Sequence, residues 1–122
     1  MSRLSRNKGR DYQAAIAKRW RDSGLFPDAH STQGSQARAV GACPVDIDGL
    51  AAFAVECKDG QHPRVWAALE QLEAACAKAG DTRTRIVVAH KKGDSQDHSV
   101  VVMRLVDFEA LIRAQREGWE AA

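Results

Sequence analysis

Apolar positions recur along this chain with two different spacings, and the switch between them marks out its elements. After Asp11, Ile16 and Trp20 stand four residues apart. The spacing predicts a helix capped by Asp11, running to about Arg21 and stopped by Gly24. FPDAHSTQGSQARAVGAC (26–43) is rich in small and polar residues and reads as a short strand entering a mobile loop around Ser31–Gln36. Alternation then predicts strands near 44–48 and 53–58, with Asp59-Gly60 as a turn. Pro63 suits the first position of a second helix, whose Val65, Leu69, Leu72 and Cys76 repeat at the helical period up to Gly80. RIVVAH (85–90) and SVVVMRL (99–105) are β-branched runs expected as well-buried strands. Asp107 can cap a last helix carrying Phe108, Leu111 and Ile112. The predicted order is helix, three strands, helix, two strands, helix, an α/β fold with one mixed sheet flanked by helices.

The stretch PVDIDGLAAFAVECKDG (44–60) poses a question of register. A tight turn at Asp48-Gly49 would set Asp46 opposite Ala51 and mix charged and apolar side chains on both faces. A longer loop, over about 49–52 or 49–53, behaves differently: with five loop residues Asp48 pairs with Ala54, Ile47 with Val55 and Asp46 with Glu56. One face then carries Asp46, Asp48, Ala54, Glu56 and Lys58, and the other Val45, Ile47, Phe53, Val55 and Cys57. The second register segregates the faces and is the one expected.

Composition and charge narrow the setting. The 122 residues, 44% hydrophobic and 28% charged, match a single globular domain with a substantial core. No apolar run reaches the ~20 residues of a membrane-spanning helix. The N-terminus lacks the apolar segment of a signal peptide, and three cysteines without paired spacing suit a reducing compartment, so the cytoplasm is the expected location. The net charge of +2 is unevenly placed: residues 1–22 hold seven basic residues (Arg3, Arg6, Lys8, Arg10, Lys18, Arg19 and Arg21) against Asp11 and Asp22, a net of +5. Such a block suits a polyanion such as nucleic acid, and equally a solvated lead and polar helix face. Residues 1–10 are expected as a flexible basic lead and 116–122 as a polar tail.

In the expected register, Asp46 and Glu56 have Cβ atoms ~5 Å apart, close enough to share one cation. Hard oxygen ligands on a partly open surface suit Mg²⁺ or Mn²⁺. Lys58, on the same face, could hold a phosphate oxygen and orient an attacking water. Together these residues are suited to metal-assisted phosphodiester hydrolysis. A solvated charged face on an amphipathic hairpin has the same pattern, and spacing alone leaves both readings open. Asp48 could bind a second cation but is more simply the cap of its own turn. Cys43, Cys57 and His62 match no standard zinc spacing. His30, His90 and His98 are expected at the surface, Trp20 and Trp66 in the core, and Trp119 is available to a subunit contact.

These residues also carry a resemblance. VDI-(x)₈-ECK, with Asp46, Glu56 and Lys58 in the key places, resembles the core of the PD-(D/E)XK nucleases. Within that superfamily it is most similar to small Holliday-junction resolvases of archaea and their phage- and prophage-encoded relatives. RNKGRDYQAAIAKRW is similar to the family's first helix, ALEQLEAA to the helix that follows its active-site strand, and VDFEALI to its tail. The predicted element order matches a restriction-endonuclease-like core. The resemblance implies Asp46, Glu56 and the backbone carbonyl of Cys57 as metal ligands, Lys58 as the catalytic lysine and Gln71 as a supporting polar residue. Gln71 falls on a stripe with Ala67, Ala74 and Lys78, separate from the apolar stripe. It further implies a homodimer acting on branched DNA, with Arg3, Arg6, Lys8 and Arg10 on phosphates. The VVVMRL segment and the last helix offer apolar surface for a dimer, or serve as core. The sequence departs from the pattern twice. Where the family's first helix bears a glutamate, the nearest match is Gln13, two residues after Asp11, and Val45 separates Pro44 from Asp46. Other readings are a nicking, repair or restriction-type nuclease and an inactive nuclease fold that only binds DNA.

Overall fold

A computed structural model describes residues 3–32 and 44–121. The elements follow the predicted order: α1 (Arg3–Asp22), β1 (His30–Ser31), β2 (Ile47–Asp48), β3 (Phe53–Gly60), α2 (Val65–Ala79), β4 (Thr84–Lys91), β5 (Val100–Val102) and α3 (Leu105–Ala121), with a 3₁₀ turn at Gln96–His98 before β5. The fold is α/β: the described residues form three helices and one five-stranded mixed sheet in the order β1-β2-β3-β4-β5. Among the described strands β3 and β4 run parallel, joined through α2, while the other neighbours are antiparallel. A parallel pair needs a crossover of this kind, because a short turn cannot return the chain to the same end of the sheet.

The two helices cover opposite faces. Tyr12, Ile16 and Ala17 of α1 pack with Ile47, Val55, Cys57, Ile86 and Val88 into the larger core. Leu72 and Cys76 of α2 pack on Val45 and Ala54, and Ala68 and Leu69 on Val87. Because β3 alternates, Ala54, Glu56 and Lys58 lie on the α2 face, and Val55, Cys57 and Asp59 on the α1 face.

Several boundaries differ from expectation. α1 begins at Arg3, so Asp11 lies inside the helix instead of capping it, and the stretch expected as a flexible lead is helical from Arg3. α2 begins at Val65, two residues after Pro63, and ends at Gly80, whose φ of 72° closes the helix in the left-handed region. α3 begins at Leu105; Asp107 falls in its first turn, and Arg104 supplies the carbonyl that accepts from the amides of Asp107 and Phe108. The segment expected as a polar tail is helical through Ala121. Beyond Thr32, the loop expected around Ser31–Gln36 lies outside the described residues, as does Cys43.

The largest correction concerns burial. β4 is buried as expected, but β5 is a short edge strand whose Val100 and Val101 are exposed, and Leu105, Val106, Phe108 and Ile112 after it are exposed too. Val45 also changes sides. It precedes the regular part of β2, so strict alternation does not hold it, and it packs against α2 instead of beside Ile47.

Candidate functional site

The site forms where β2 meets β3. Ile47 pairs with Val55, the longer-loop register, and the amide of Asp46 donates to the carbonyl of Val55 at 2.9 Å. The connection is held open at Gly49, whose φ of 90° and approach to Asp28 leave no room for a side chain: a Cβ there would stand 2.0 Å from the Asp28 carbonyl oxygen. Leu50, in the same loop, is buried in the larger core and anchors the turn from inside. Sequence reasoning placed it only in a loop, because a lone leucine among alanines carries no periodicity.

At Asp46 the two strands begin to part, and a side chain replaces the ladder. The Cys57 amide donates to the Asp46 carboxylate, Oδ2, at 2.8 Å. That bond draws the carboxylate to the backbone at Glu56. The Glu56 carboxyl is pushed up to about 8, first by burial, then by the charge of Asp46 and a hydrogen bond with it, while Lys58 pulls in the opposite direction. Burial, aided by the same two acids, raises the Cys57 thiol far above its ordinary range, so the side chain acts as core. Among the described residues, no group of three or more His, Cys, Asp or Glu side chains converges as a metal cluster. Two carboxylates therefore form the acidic part of the site. Mg²⁺ bound by one or two carboxylates plus water needs no more.

Lys58, two residues beyond Glu56, lines a cavity of about 330 Å³ with Gly60, Pro63, Arg64, Ala67 and Gln71. The structure thus brings Gln71 to the same cavity as Lys58. Gln13 is placed otherwise: it is buried between α1 and the sheet, and its amide donates to the Ser31 hydroxyl at 2.9 Å. It lies on the α1 side, whereas Glu56 lies on the α2 face. Asp48 caps its turn, accepting from the Gly49 amide at 2.9 Å and meeting Arg83 at 3.4 Å. Arg10 is exposed on α1, while nothing is described of the side chains of Arg3, Arg6 and Lys8.

Three arrangements escaped sequence reasoning. Asp81 and Arg83, just after α2, form a close ion pair at 2.7 Å that ties Asp48 and the Leu50 carbonyl to the start of β4. His90, expected at the surface, has its Nδ1 within 2.8 Å of Asp59 and its ring stacked on Tyr12 at 4.9 Å, and Tyr12 donates to Ser99 at 2.9 Å. Its pKa is raised, chiefly by the bond to Asp59. Trp66, expected in the core, is 63% exposed on α2. The Arg104 guanidinium, gripped by Glu73 at 2.7 and 2.9 Å, lies over its ring at 5.2 Å. Only the Trp66–Glu73 spacing, one helical face apart, hinted at the last group.

Comparison with protein families, with curated proteins and with solved structures finds no match to this chain.

Proposed function

We propose that this chain is a metal-dependent endonuclease that hydrolyses phosphodiester bonds in DNA, built on a restriction-endonuclease-like core. One observation carries the reading: Asp46, just before β2, is anchored by the Cys57 amide beside Glu56 of β3, whose carboxyl is pushed up to about 8 by burial first and by Asp46 second. Two carboxyls so placed are held by a shared proton when empty, and a divalent cation that replaces the proton would neutralise both as carboxylates. Asp46, Glu56 and the backbone carbonyl of Cys57 would hold Mg²⁺, with Mn²⁺ able to substitute. The ion supplies Lewis-acid polarisation of a phosphoryl oxygen and an acidified water. Lys58, on the same face, grips a phosphate oxygen and stabilises the charge that develops there. Gln71, across the shared cavity, orients water or substrate by hydrogen bonding.

Within this class the resemblance of VDI-(x)₈-ECK favours a Holliday-junction resolvase. Symmetric cutting of a four-way junction needs two such sites, hence two copies of the chain. The exposed Val100, Val101, Leu105, Val106, Phe108 and Ile112 supply an apolar face for that pairing. A second reading, an inactive nuclease fold that binds DNA, draws on Gln13: no acid stands at that position, and its amide is engaged with Ser31.

The test incubates the protein with labelled four-way junction, linear duplex and single strand, in Mg²⁺, in Mn²⁺ and in chelator, with Glu56→Gln and Lys58→Ala as controls. Paired cuts in the junction, lost in both variants and in chelator, are expected. Cutting of linear or single-stranded DNA keeps the chemistry and removes the junction specificity. Binding without any cutting leaves the inactive fold.

A further inference from the structure

We propose that Arg64 and Lys91 extend the Lys58 cavity into a track for the phosphodiester backbone of one nucleic-acid strand, crossing the C-terminal ends of β3 and β4. The proposal deepens the nuclease reading and rests on it for the position of the cleaved phosphate.

The charge pattern of α1 pointed to its basic residues, but the structure engages several of them within the chain. Lys18 pairs with Asp22, Arg19 with Asp97 at 2.7 Å, and Arg21 donates to the Ala29 carbonyl at 2.7 Å. A different set of cations gathers beside Lys58. In the parallel register Lys58 pairs with Ala89 and Gly60 with Lys91. Alternation then puts Lys91 on the same face as Glu56 and Lys58, one strand over and two residues on, a Cα separation of about 8 Å. Gly60 adds no side chain between them, and its carbonyl accepts from the Lys92 amide at 2.9 Å, which keeps the two strand ends together.

The chain leaving β3 completes the track. Pro63 and Arg64 wall the Lys58–Gln71 cavity. Pro63 also walls a neighbouring cavity of about 250 Å³, shared with Val65, Lys91, Asp94, His98 and Val100. The two cavities share Pro63 as a wall; the exposed Arg64 lines the Lys58 cavity and Lys91 lines the other. Asp94 is the acid that lines this path beyond Pro63; Asp59, which borders the first cavity, is paired with His90. Lys58, Arg64 and Lys91 therefore outnumber Asp94 and Glu70, the latter lining a further cavity with Pro63 and Arg64. At the other end stand Asp46 and Glu56, which repel phosphate unless a cation lies between them. A strand is thus drawn in from the Lys91 end and presents one phosphate to Lys58.

The experiment measures binding of a labelled oligodeoxynucleotide, single-stranded and annealed, in chelator over a salt titration. Arg64→Gln, Lys91→Gln and the double variant are compared with the parent and with Arg10→Gln on α1, after melting curves show that each variant is folded. The double variant is expected to bind about tenfold more weakly or worse, with a salt slope smaller by about 1 for each phosphate contact removed. Parent-like affinity and slope in the double variant overturn the track. So does a parent that binds neither probe, or a larger loss from Arg10→Gln than from the double variant, which places the strand on α1. Because binding is read without metal, a parent that binds through these residues but cuts nothing when Mg²⁺ is added removes the nuclease reading and leaves the track standing.

Discussion

β4 and β5 are near twins in sequence and opposites in the fold. RIVVAH and SVVVMRL are both β-branched runs, yet Val87 is 0% exposed and Val101 56%. The difference lies in their neighbours. β4 is paired on both sides, parallel to β3 and antiparallel to β5, and is covered by α2 and by the α1 core. β5 is an edge strand of three residues, followed by a helix whose Leu105, Val106, Phe108 and Ile112 also face outward. A β-branched run specifies a strand; its place in the sheet order decides whether that strand is core. A protein that leaves such an edge and such a helix apolar presents an aggregation hazard unless another surface covers them.

The largest expected effect breaks the comparison directly. Val87→Asp buries an unpaired charge between sheet and α2, and should destabilise by about 4 kcal/mol or more in a denaturant titration. Val101→Asp should change the stability of the single chain by no more than about 0.5 kcal/mol. Equal losses at the two sites would mean that β5 is covered after all.

Next in size is the charged counterpart of that burial. The carboxyl of Glu56 titrates near 8 in the folded chain against an ordinary 4.5. Folding therefore favours the protonated form. Its contribution is fully present below about pH 4.5 and is lost as pH rises towards about 8, at about 1.4 kcal/mol per pKa unit, so a few kcal/mol in total. Melting temperature measured in chelator should fall across that window. Mg²⁺ added near pH 8 should restore it by binding the folded form alone. Glu56→Gln should flatten the pH dependence and abolish the Mg²⁺ effect. A parent whose melting temperature ignores both pH and Mg²⁺ removes the proposed metal site.

The exposed edge supplies the third test. Val101→Asp and Phe108→Asp each place a charge on the exposed apolar surface proposed for the second copy. Sedimentation should show a dimer in the parent and, in either variant, association weakened by about 2 kcal/mol or more, a rise of at least about thirtyfold in the dimer dissociation constant. A parent that remains monomeric at every concentration leaves the edge without this partner.

Much of the fold was legible because its signals are local. Alternation in the hairpin selected the register that brings Asp46 to Glu56, and the period of Leu69, Leu72 and Cys76 located the buried stripe of α2. Gly80 ended that helix as its backbone freedom implies. What escaped was non-local. Nothing in DYQAAIAKRW says that Gln13 meets Ser31, or that Tyr12 stacks on His90, because those partners come from strands that another part of the chain brings near. Asp11 carried a cap signal that the preceding residues overrode by continuing the helix to Arg3. The Lys58–Gln71 cavity was partly legible from helix phase, whereas Lys91 beside it required the parallel register, which no local pattern contains.

The smallest effect sharpens the same lesson on helices. Trp20 and Trp66 each sit on a helix beside apolar residues, and each looks like core in the sequence. Trp20 packs against Phe26, ring centroids 5.2 Å apart, at the margin of the α1 core. Trp66 stands mostly in water, its ring met by the Arg104 guanidinium. Trp66→Ala should therefore cost no more than about 1 kcal/mol, the scale of an exposed cation–π contact, while Trp20→Ala loses packed aromatic area and should cost clearly more. Fluorescence separates them independently: acrylamide should quench the emission lost in Trp66→Ala far more readily than the emission lost in Trp20→Ala. Poor quenching of Trp66 at concentrations where the chain is dimeric, relieved by Val101→Asp, would extend the covered edge from β5 onto α2.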